Sequence, residues 1–302
     1  METVHRNGRA TTNRTYRWVI DTMIVPGLGS QRLIELKTSH VKRWVADLEY
    51  TGKAAKTISM ARTLLKSALD LAVQDELILR NPVVGVKVPR VRRSSGKALS
   101  VVQARQLLDA AVGDRLELAI RLALGLGLRR GEVCGLRWAD IDQDAGTLTV
   151  NGSTTYTPET GLVYGPTKTH ESQRTIPLTA PLREALRWHQ TRQHDERAAM
   201  GWGATDYLFT APSTGAMLHP SRLYAAFKAI AQTVGLGDFR LHDLRHSAAT
   251  FLLAEGVKIK RVQAILGHTK VDTTMNIYAH LLEGDDSDAL DRVQRRLDGE
   301  PC

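Results

Sequence analysis

The stretch between Leu241 and Leu281 constrains this chain more than any other, because it concentrates side chains able to act on a phosphate group. It reads Leu-His-Asp-Leu-Arg-His at 241–246, Leu-Gly-His at 266–268 and Asn-Ile-Tyr-Ala-His at 276–280. Such groups work together only if the fold brings them to one place, so these segments must converge with two further groups far upstream. The six side chains of this predicted site are Arg129, Lys168, His242, Arg245, His268 and Tyr278.

The upstream arginine lies in Gly-Leu-Arg-Arg-Gly-Glu at 127–132. Arg129 and Glu132 are three residues apart, a spacing that places both on one face at a helix start, so Glu132 is predicted to hold Arg129 in one orientation. A guanidinium group stays charged and forks onto two phosphate oxygens. We expect Gly127 and Gly131 to let a phosphate approach the backbone closely.

The same spacing recurs at His242 and Arg245, which predicts a second clamp beside a group able to shuttle a proton. His246 is expected to point to another part of that helix. Lys168 falls in a predicted turn, where its ammonium group would reach a leaving oxygen. Tyr278 is the candidate nucleophile, and its phenol, with an ordinary pKa of about 10, must lose its proton during attack.

Each of these motifs taken alone has a more ordinary structural explanation. These explanations are a surface Arg–Glu pair, a helix-capping or core-packed histidine, a solvated turn lysine and a tyrosine packed on the core. Only the joint order of the six residues favours a shared site.

The basic residues are concentrated in the first third of the chain. Lys and Arg outnumber Asp and Glu by 41 to 32 overall, but by 18 to 8 within residues 1–97, so this part holds the whole excess. This asymmetry predicts a part that grips nucleic acid, although a basic enzyme with solvated lysines fits the bulk charge equally well. The predicted DNA-binding residues lie on the third helix and in a basic linker: Lys56, Arg62, Lys66, Arg90, Arg92 and Arg93.

Apolar spacing predicts a mainly α fold with one small antiparallel β-sheet, an α+β protein. Helices are expected at about 12–24, ended by Pro26, Gly27 and Gly29, from a cap at Thr38 or Ser39 to Gly52, and along the segment after it. Ser100 is expected to cap the next helix. The remaining expectations are helices at about 114–126, 180–199, 219–234, 243–255, 258–266 and 271–281, with strands at 147–150, 162–165 and 173–178.

The domains expected from these patterns are a helical DNA-binding domain at 1–90, a basic linker at 91–98, a catalytic domain at 99–282 and a tail helix at 283–302. The two cysteines, Cys134 and Cys302, cannot form a disulfide framework or a zinc cage. No apolar run reaches the ~20 residues that span a bilayer, and no signal peptide is recognisable. These features point to the cytoplasm and to no membrane partner.

At this point the chain resembles the tyrosine recombinase (phage integrase) family. The matching stretches are Gly-Leu-Arg-Arg-Gly-Glu at 127–132, Leu-Arg-Trp-Ala-Asp at 136–140, Lys168-Thr169 with Arg-Thr-Ile-Pro-Leu at 174–178, and the three motifs between 241 and 280. The resemblance covers roughly residues 12–282 and fills all six catalytic positions of the family. It implies a core-binding domain and a catalytic domain that close around duplex DNA as a C-shaped clamp.

The resemblance also implies a role for each residue. Tyr278 would attack the scissile phosphate and form a 3′-phosphotyrosyl bond, while Lys168 protonates the departing 5′-oxygen and His242 assists as general base. The side chains that would stabilise charge on the non-bridging oxygens are Arg129, Arg245 and His268. No metal or cofactor is implied, and the sequence has neither a P-loop nor an acidic cluster spaced for two magnesium ions.

The partners implied are double-stranded DNA at specific recombination sites and a homo-tetramer on two duplexes, formed from protomers that are monomeric when free. The tail helix would dock on a neighbouring protomer, and an accessory directionality factor fits the same scheme. We expect a nucleoid-associated enzyme that integrates or excises a phage or mobile element. An arm-binding domain and a first helix found in many relatives are missing, so the DNA-binding domain is expected to be N-terminally incomplete. The alternative is a catalytically silent remnant that only binds DNA.

Overall fold

The computed structural model describes residues 10–90, 97–166 and 173–267, and the chain divides into two compact units, Met1–Ser94 and Ser95–Cys302. The expected fold class, mainly α with small antiparallel sheets, is confirmed. None of the helices within the described ranges is long and apolar enough to cross a membrane.

The first unit is a helical bundle built on an apolar stripe from each helix. Trp44 lies at its centre, 3% exposed, and its indole N–H donates to the carbonyl of Met23 at 2.9 Å. A side chain at Gly27 would collide with that indole, so glycine is required there. The elements are α1 (Ala10–Val19), a π-helical turn (Ile20–Ile24), α2 (Val25–Leu28), a 3-10 turn (Leu33–Glu35), α3 (Thr38–Tyr50) and α4 (Ala55–Gln74).

Two predictions about helix ends in this unit are wrong. Pro26 does not end the first helix, because it lies in the first turn of α2, where a proline costs no hydrogen bond. Of the three residues predicted to end this helix, Gly29 is the one at which the helical backbone stops, and its N–H donates to the carbonyl of Val25 at 2.9 Å. The cap of α3 is Lys37 rather than Thr38 or Ser39, and its backbone N–H donates to the ring of His40 at 3.4 Å.

The second unit packs helices around two small sheets. Ser100 caps the first helix of this unit as expected, accepting the N–H of Gln103 at 3.1 Å. Its helices are α5 (Val101–Ala110), α6 (Glu117–Gly125), α7 (Arg130–Gly135), α8 (Ala180–Met200), α9 (Pro220–Thr233), α10 (Leu241–Ala254) and α11 (Ile259–Leu266), with a 3-10 turn at Trp138–Asp140. The strands are β1 (Ile141–Asp142), β2 (Thr147–Val150), β3 (Gly152–Thr157), β4 (Gly161–Pro166) and β5 (Arg174–Pro177).

The prediction of one sheet is wrong, because the strands form two separate antiparallel sheets. One has the order β1-β2-β5, with Leu148 opposite Ile176, and both of these side chains are buried in the core. The other is a hairpin of β3 and β4, in which Thr154 pairs with Tyr164. Strand β3 was not predicted from the sequence, and it is the strand that pairs with β4, whereas β5 pairs with β2.

His189, on α8, is a buried histidine held in its neutral form. It is 8% exposed, its Nε2–H donates to the carbonyl of Leu208 at 2.7 Å, and its Nδ1 accepts from Arg192 at 3.1 Å. A second proton would have to sit on Nδ1, facing the guanidinium group. Burial, rather than this contact, is the largest cause that lowers the pKa of His189 to about 4.

We predict that His189 makes the second unit sensitive to acid. In the unfolded chain His189 has an ordinary pKa of about 6.5 and binds a proton that it does not bind in the native chain. The free energy of unfolding therefore falls as the pH drops from about 6.5 towards 4. His189→Gln should reduce that loss by roughly 2 kcal/mol at pH 4.5. Urea unfolding at pH 7 and 4.5 measures it. His194→Gln, at an exposed histidine on the same helix, is the control; equal pH slopes for wild type and His189→Gln would contradict the prediction.

Candidate active site

The buried carboxylate of Glu132 is the centre of the candidate site. Arg129 is the N-cap of α7 and Glu132 is its third residue, so the backbone N–H of Arg129 donates to Glu132 Oε2 at 2.9 Å. The guanidinium group of Arg129 also donates to Glu132 Oε1 at 2.6 Å. Glu132 is 3% exposed, whereas the Arg129 side chain is 36% exposed. The predicted contact is therefore present, and it leaves part of Arg129 open to a ligand.

A second arginine, which the sequence reading did not assign to the site, shares this carboxylate. Arg174 Nη2 donates to Glu132 Oε2 at 2.9 Å, and its Nη1 lies 3.3 Å from Oε1. Burial alone would raise the pKa of Glu132, but the hydrogen bond and charge of Arg174, followed by the charge of Arg129, lower it below the ordinary value. Glu132 is therefore ionised at neutral pH.

A sequence signal for Arg174 did exist. In the segment 173–178 the buried positions alternate with exposed ones, and Arg174 shares the buried face with Ile176 and Leu178. A charged residue at a core-facing position of a strand needs a partner of opposite charge. The alternation could therefore have marked Arg174 as one half of a buried ion pair.

Arg245, on α10, lies close to Arg129 but is buried rather than presented to solvent. It is 2% exposed, and its Nη1 donates to the carbonyl of Gly127 at 2.7 Å. Burial, followed by the charge of Arg129, lowers the pKa of Arg245 to about 9, so it keeps its charge at neutral pH. The sequence predicts an arginine open to a phosphate, whereas the guanidinium group of Arg245 is buried.

His242 and His246 form a pair, so the expectation that His246 points elsewhere is wrong. Their rings meet edge to face with centroids 5.0 Å apart. Partial burial, then the neighbouring His246 and Arg245, lowers the pKa of His242 to about 4. His242 is nevertheless an exposed residue, so water weakens the lowering of its pKa. The neutral imidazole remains the stable form at pH 7. A neutral imidazole is the form that accepts a proton.

Gly267, the last described residue, lies beside Arg129. Gly267 ends α11 in the left-handed conformation, with φ of +65°, and its carbonyl accepts from Arg129 Nη2 at 2.6 Å. Gly267 immediately precedes His268 in the sequence. His268, Lys168 and Tyr278 lie outside the described residues, so the structure brings together Arg129, His242 and Arg245 of the six predicted side chains.

The predicted DNA-binding residues of the first unit differ in their surroundings. Lys56 and Arg90 are exposed, whereas Arg62 donates to the carbonyl of Val86 at 2.8 Å. Lys66 pairs with Asp70 at 2.6 Å on the surface. Arg92 and Arg93 lie outside the described residues.

No cluster of three or more His, Cys, Asp and Glu side chains that would hold a metal ion occurs in the part of the chain that the structure describes. The charges gathered around Glu132 are instead those of three arginines and one carboxylate. Arg129, Arg174 and Arg245 leave this group with a net charge of +2, which attracts an anion such as phosphate.

Residues 97–284 match the model of the phage integrase family. A tyrosine recombinase XerC-like protein of Caldanaerobacter subterraneus is 30% identical over 85% of this chain and 71% of its own length. A tyrosine recombinase XerC of Mycobacterium bovis is 31% identical over 82% of this chain and 79% of its own. The Tn1549 transposon integrase in complex with a circular intermediate DNA superposes with a TM-score of 0.83 at 23% identity, over 97% of this chain and 96% of that one.

The chain therefore belongs to the phage integrase family. It is a tyrosine-type site-specific recombinase, an enzyme that cuts and rejoins DNA strands.

The two glycines of the 127–132 motif serve protein packing, which corrects the expectation that they admit a phosphate. Gly127 has φ of +62°, and a Cβ there would collide with the side chain of Leu266. A Cβ at Gly131 would lie 2.5 Å from the hydroxyl of Ser153 and 2.6 Å from the carbonyl of Thr154. Both positions are filled by neighbouring elements of the same unit.

We predict that Gly127→Ala lowers the free energy of unfolding of the second unit by more than the strain of a left-handed alanine alone would. A left-handed alanine costs about 1–2 kcal/mol, and overpacking against Leu266 adds about 1–3 kcal/mol. Gly235→Ala isolates the first effect, because Gly235 has φ of +71° with nothing within 4 Å of an added Cβ. Chemical denaturation of both variants measures the difference, and equal losses would show that Leu266 moves aside without cost.

Proposed function

We propose that this recombinase cleaves DNA by attack of Tyr278 on a phosphate bound at the arginine group around Glu132. One observation carries the proposal: Arg129, about one third exposed, contacts both Glu132 and the carbonyl of Gly267, the residue before His268. The carbonyl of Gly267, which directly precedes His268 in the sequence, thus lies 2.6 Å from Arg129 Nη2.

The chemistry assigned to these residues is a transesterification. The Tyr278 oxygen bonds to phosphorus while the bond to the 5′-oxygen breaks, which leaves a 3′-phosphotyrosyl linkage and a free 5′-hydroxyl. His242 accepts the phenol proton, and Lys168 donates one to the leaving oxygen. The groups proposed to stabilise charge on the non-bridging oxygens are Arg129, Arg245 and His268.

Religation reverses these steps with a 5′-hydroxyl from another strand as the nucleophile. The phosphotyrosyl bond keeps the energy of the broken phosphodiester, so rejoining needs no ATP. The positive charge that the transition state needs comes from the arginines, and the proposal assigns no step to a metal ion. Neutral His242 suits the first step, because a protonated imidazole cannot take the phenol proton.

We further propose the wider organisation of the reaction. The basic residues of 1–97 grip the duplex, with 1–90 as core-binding domain, 91–98 as linker and 99–282 as catalytic domain. A lambda integrase tetramer bound to a Holliday junction has the same fold, with a TM-score of 0.65 at 24% identity over 90% of this chain and 74% of that one. The assembly proposed here is likewise four protomers on two duplexes, with the tail 283–302 docked on a neighbour, acting on a phage or mobile element.

We predict that Tyr278→Phe abolishes covalent attachment to DNA without abolishing binding. The substrate is a duplex nicked beside the scissile phosphate, so that the freed strand end diffuses away and the adduct accumulates. A denaturing gel, run after incubation in EDTA, should show a protein–DNA adduct for wild type and none for Tyr278→Phe, which lacks the nucleophilic oxygen.

Tyr50→Phe is the matched control, because Tyr50 is 94% exposed in the first unit and should leave the adduct unchanged. An adduct with Tyr278→Phe would refute the assigned nucleophile. Binding without an adduct from wild type would favour the silent remnant. Requirement for two specific sites separates recombination from topoisomerase activity.

A further inference from the structure

Arg174 joins three segments that lie far apart in the sequence. It stands at the start of β5, donates twice to Glu132 of α7, and donates through Nε to the carbonyl of Ile265 on α11 at 2.6 Å. Its side chain is 6% exposed, so the contacts are shielded from water and screened little by salt.

The contact with Ile265 falls where α11 needs a cation. The last carbonyls of a helix have no partner within the helix and carry partial negative charge, so a guanidinium group there is stabilising. Arg129 makes the equivalent contact two residues further along, donating to the carbonyl of Gly267. Two arginines therefore hold the end of α11, and one carboxylate, Glu132, aligns both of them.

Gly267 is fitted closely against this pair. A Cβ at that position would lie 2.9 Å from Arg174 Nη1, and the φ of +65° favours glycine. The backbone of Gly267 is thus located by direct contact with Arg174 and Arg129. A shift of Arg174 would therefore move Gly267 relative to Arg129.

We propose that Arg174 is a positioning residue of the recombination reaction: it fixes Gly267, and through it His268, relative to Arg129. Arg174 also shares the negative charge of Glu132 with Arg129. Without Arg174, that carboxylate would neutralise Arg129 alone. Arg174 acts through other residues, because its side chain is 6% exposed and donates to Glu132 and to the carbonyl of Ile265. The inference rests on the proposed function.

The test compares Arg174→Lys and Arg174→Gln with the same substitutions at a second, more exposed ion pair of this unit. Arg115 makes the same kind of contacts, donating to both oxygens of Glu196 and to the carbonyl of Thr210, on a different side of the same unit. Arg115→Lys weakens this pair and Arg115→Gln removes it, at a place where both side chains are about a quarter exposed. Each variant is assayed for thermal unfolding, DNA affinity and the single-turnover rate of adduct formation.

Two substrates separate positioning from loss of structure. One has an ordinary scissile phosphate, and the other has a methylphosphonate, which lacks one negative charge and needs less stabilisation by cations. Misplaced cations matter less on the neutral substrate, whereas partial unfolding lowers both rates by the same factor. We expect Arg174→Lys to slow cleavage of the phosphate substrate by about 100-fold. Cleavage of the methylphosphonate substrate should slow by about tenfold or less.

DNA affinity of the Arg174 variants should stay within a few-fold of wild type, and the Arg115 variants should cleave both substrates at the wild-type rate once folded. Wild-type rates for Arg174→Lys, or equal losses on both substrates, would overturn the inference. If Arg174→Gln does not fold, the lysine variant decides; if neither folds, Arg174 is a folding residue and the inference is wrong. An adduct formed by Tyr278→Phe would instead refute the proposed function.

Discussion

The ion pairing of Glu132 is the interaction on which the rest of this site depends. A carboxylate that is 3% exposed is stable only when cations compensate it, and leaving such a charge unpaired costs about 3–5 kcal/mol. Here the compensation comes from Arg129 and Arg174, which belong to different elements. The same carboxylate also caps α7. One buried charge thus fixes the start of α7, the start of β5 and, through the two arginines, the end of α11.

The surplus of positive charge follows from this arrangement. Glu132 neutralises one guanidinium group, and the charges of two remain in a place where burial keeps the dielectric low. Charge that develops on a phosphate is best stabilised by groups already in position, because they need no reorganisation during the reaction. His242 complements them, since burial and cationic neighbours keep its ring neutral and able to accept a proton. The electrostatics and the assigned chemistry therefore agree.

Much of this molecule could be predicted from its sequence, and the failures have physical causes. Apolar spacing located the helices within the described ranges, and the joint order of motifs gave the family, because both can be recognised along the sequence. The helices predicted at 271–281 and 283–302 lie outside the described residues. The partners of strands and of buried charges depend on tertiary contacts instead. The pairing of β3 with β4, the link from Arg174 to Glu132 and the burial of Arg245 were missed for that reason. Gly127 was correctly singled out, but Leu266, distant in sequence, supplies its reason.

The most direct test of this account is to identify the atom that carries the DNA. Wild-type adduct formed on a nicked duplex would be digested with nuclease and protease, and the modified peptide sequenced by mass spectrometry. The account predicts a nucleotide joined through its 3′-phosphate to Tyr278. A nucleotide on another side chain, or a linkage through a 5′-phosphate, would contradict it.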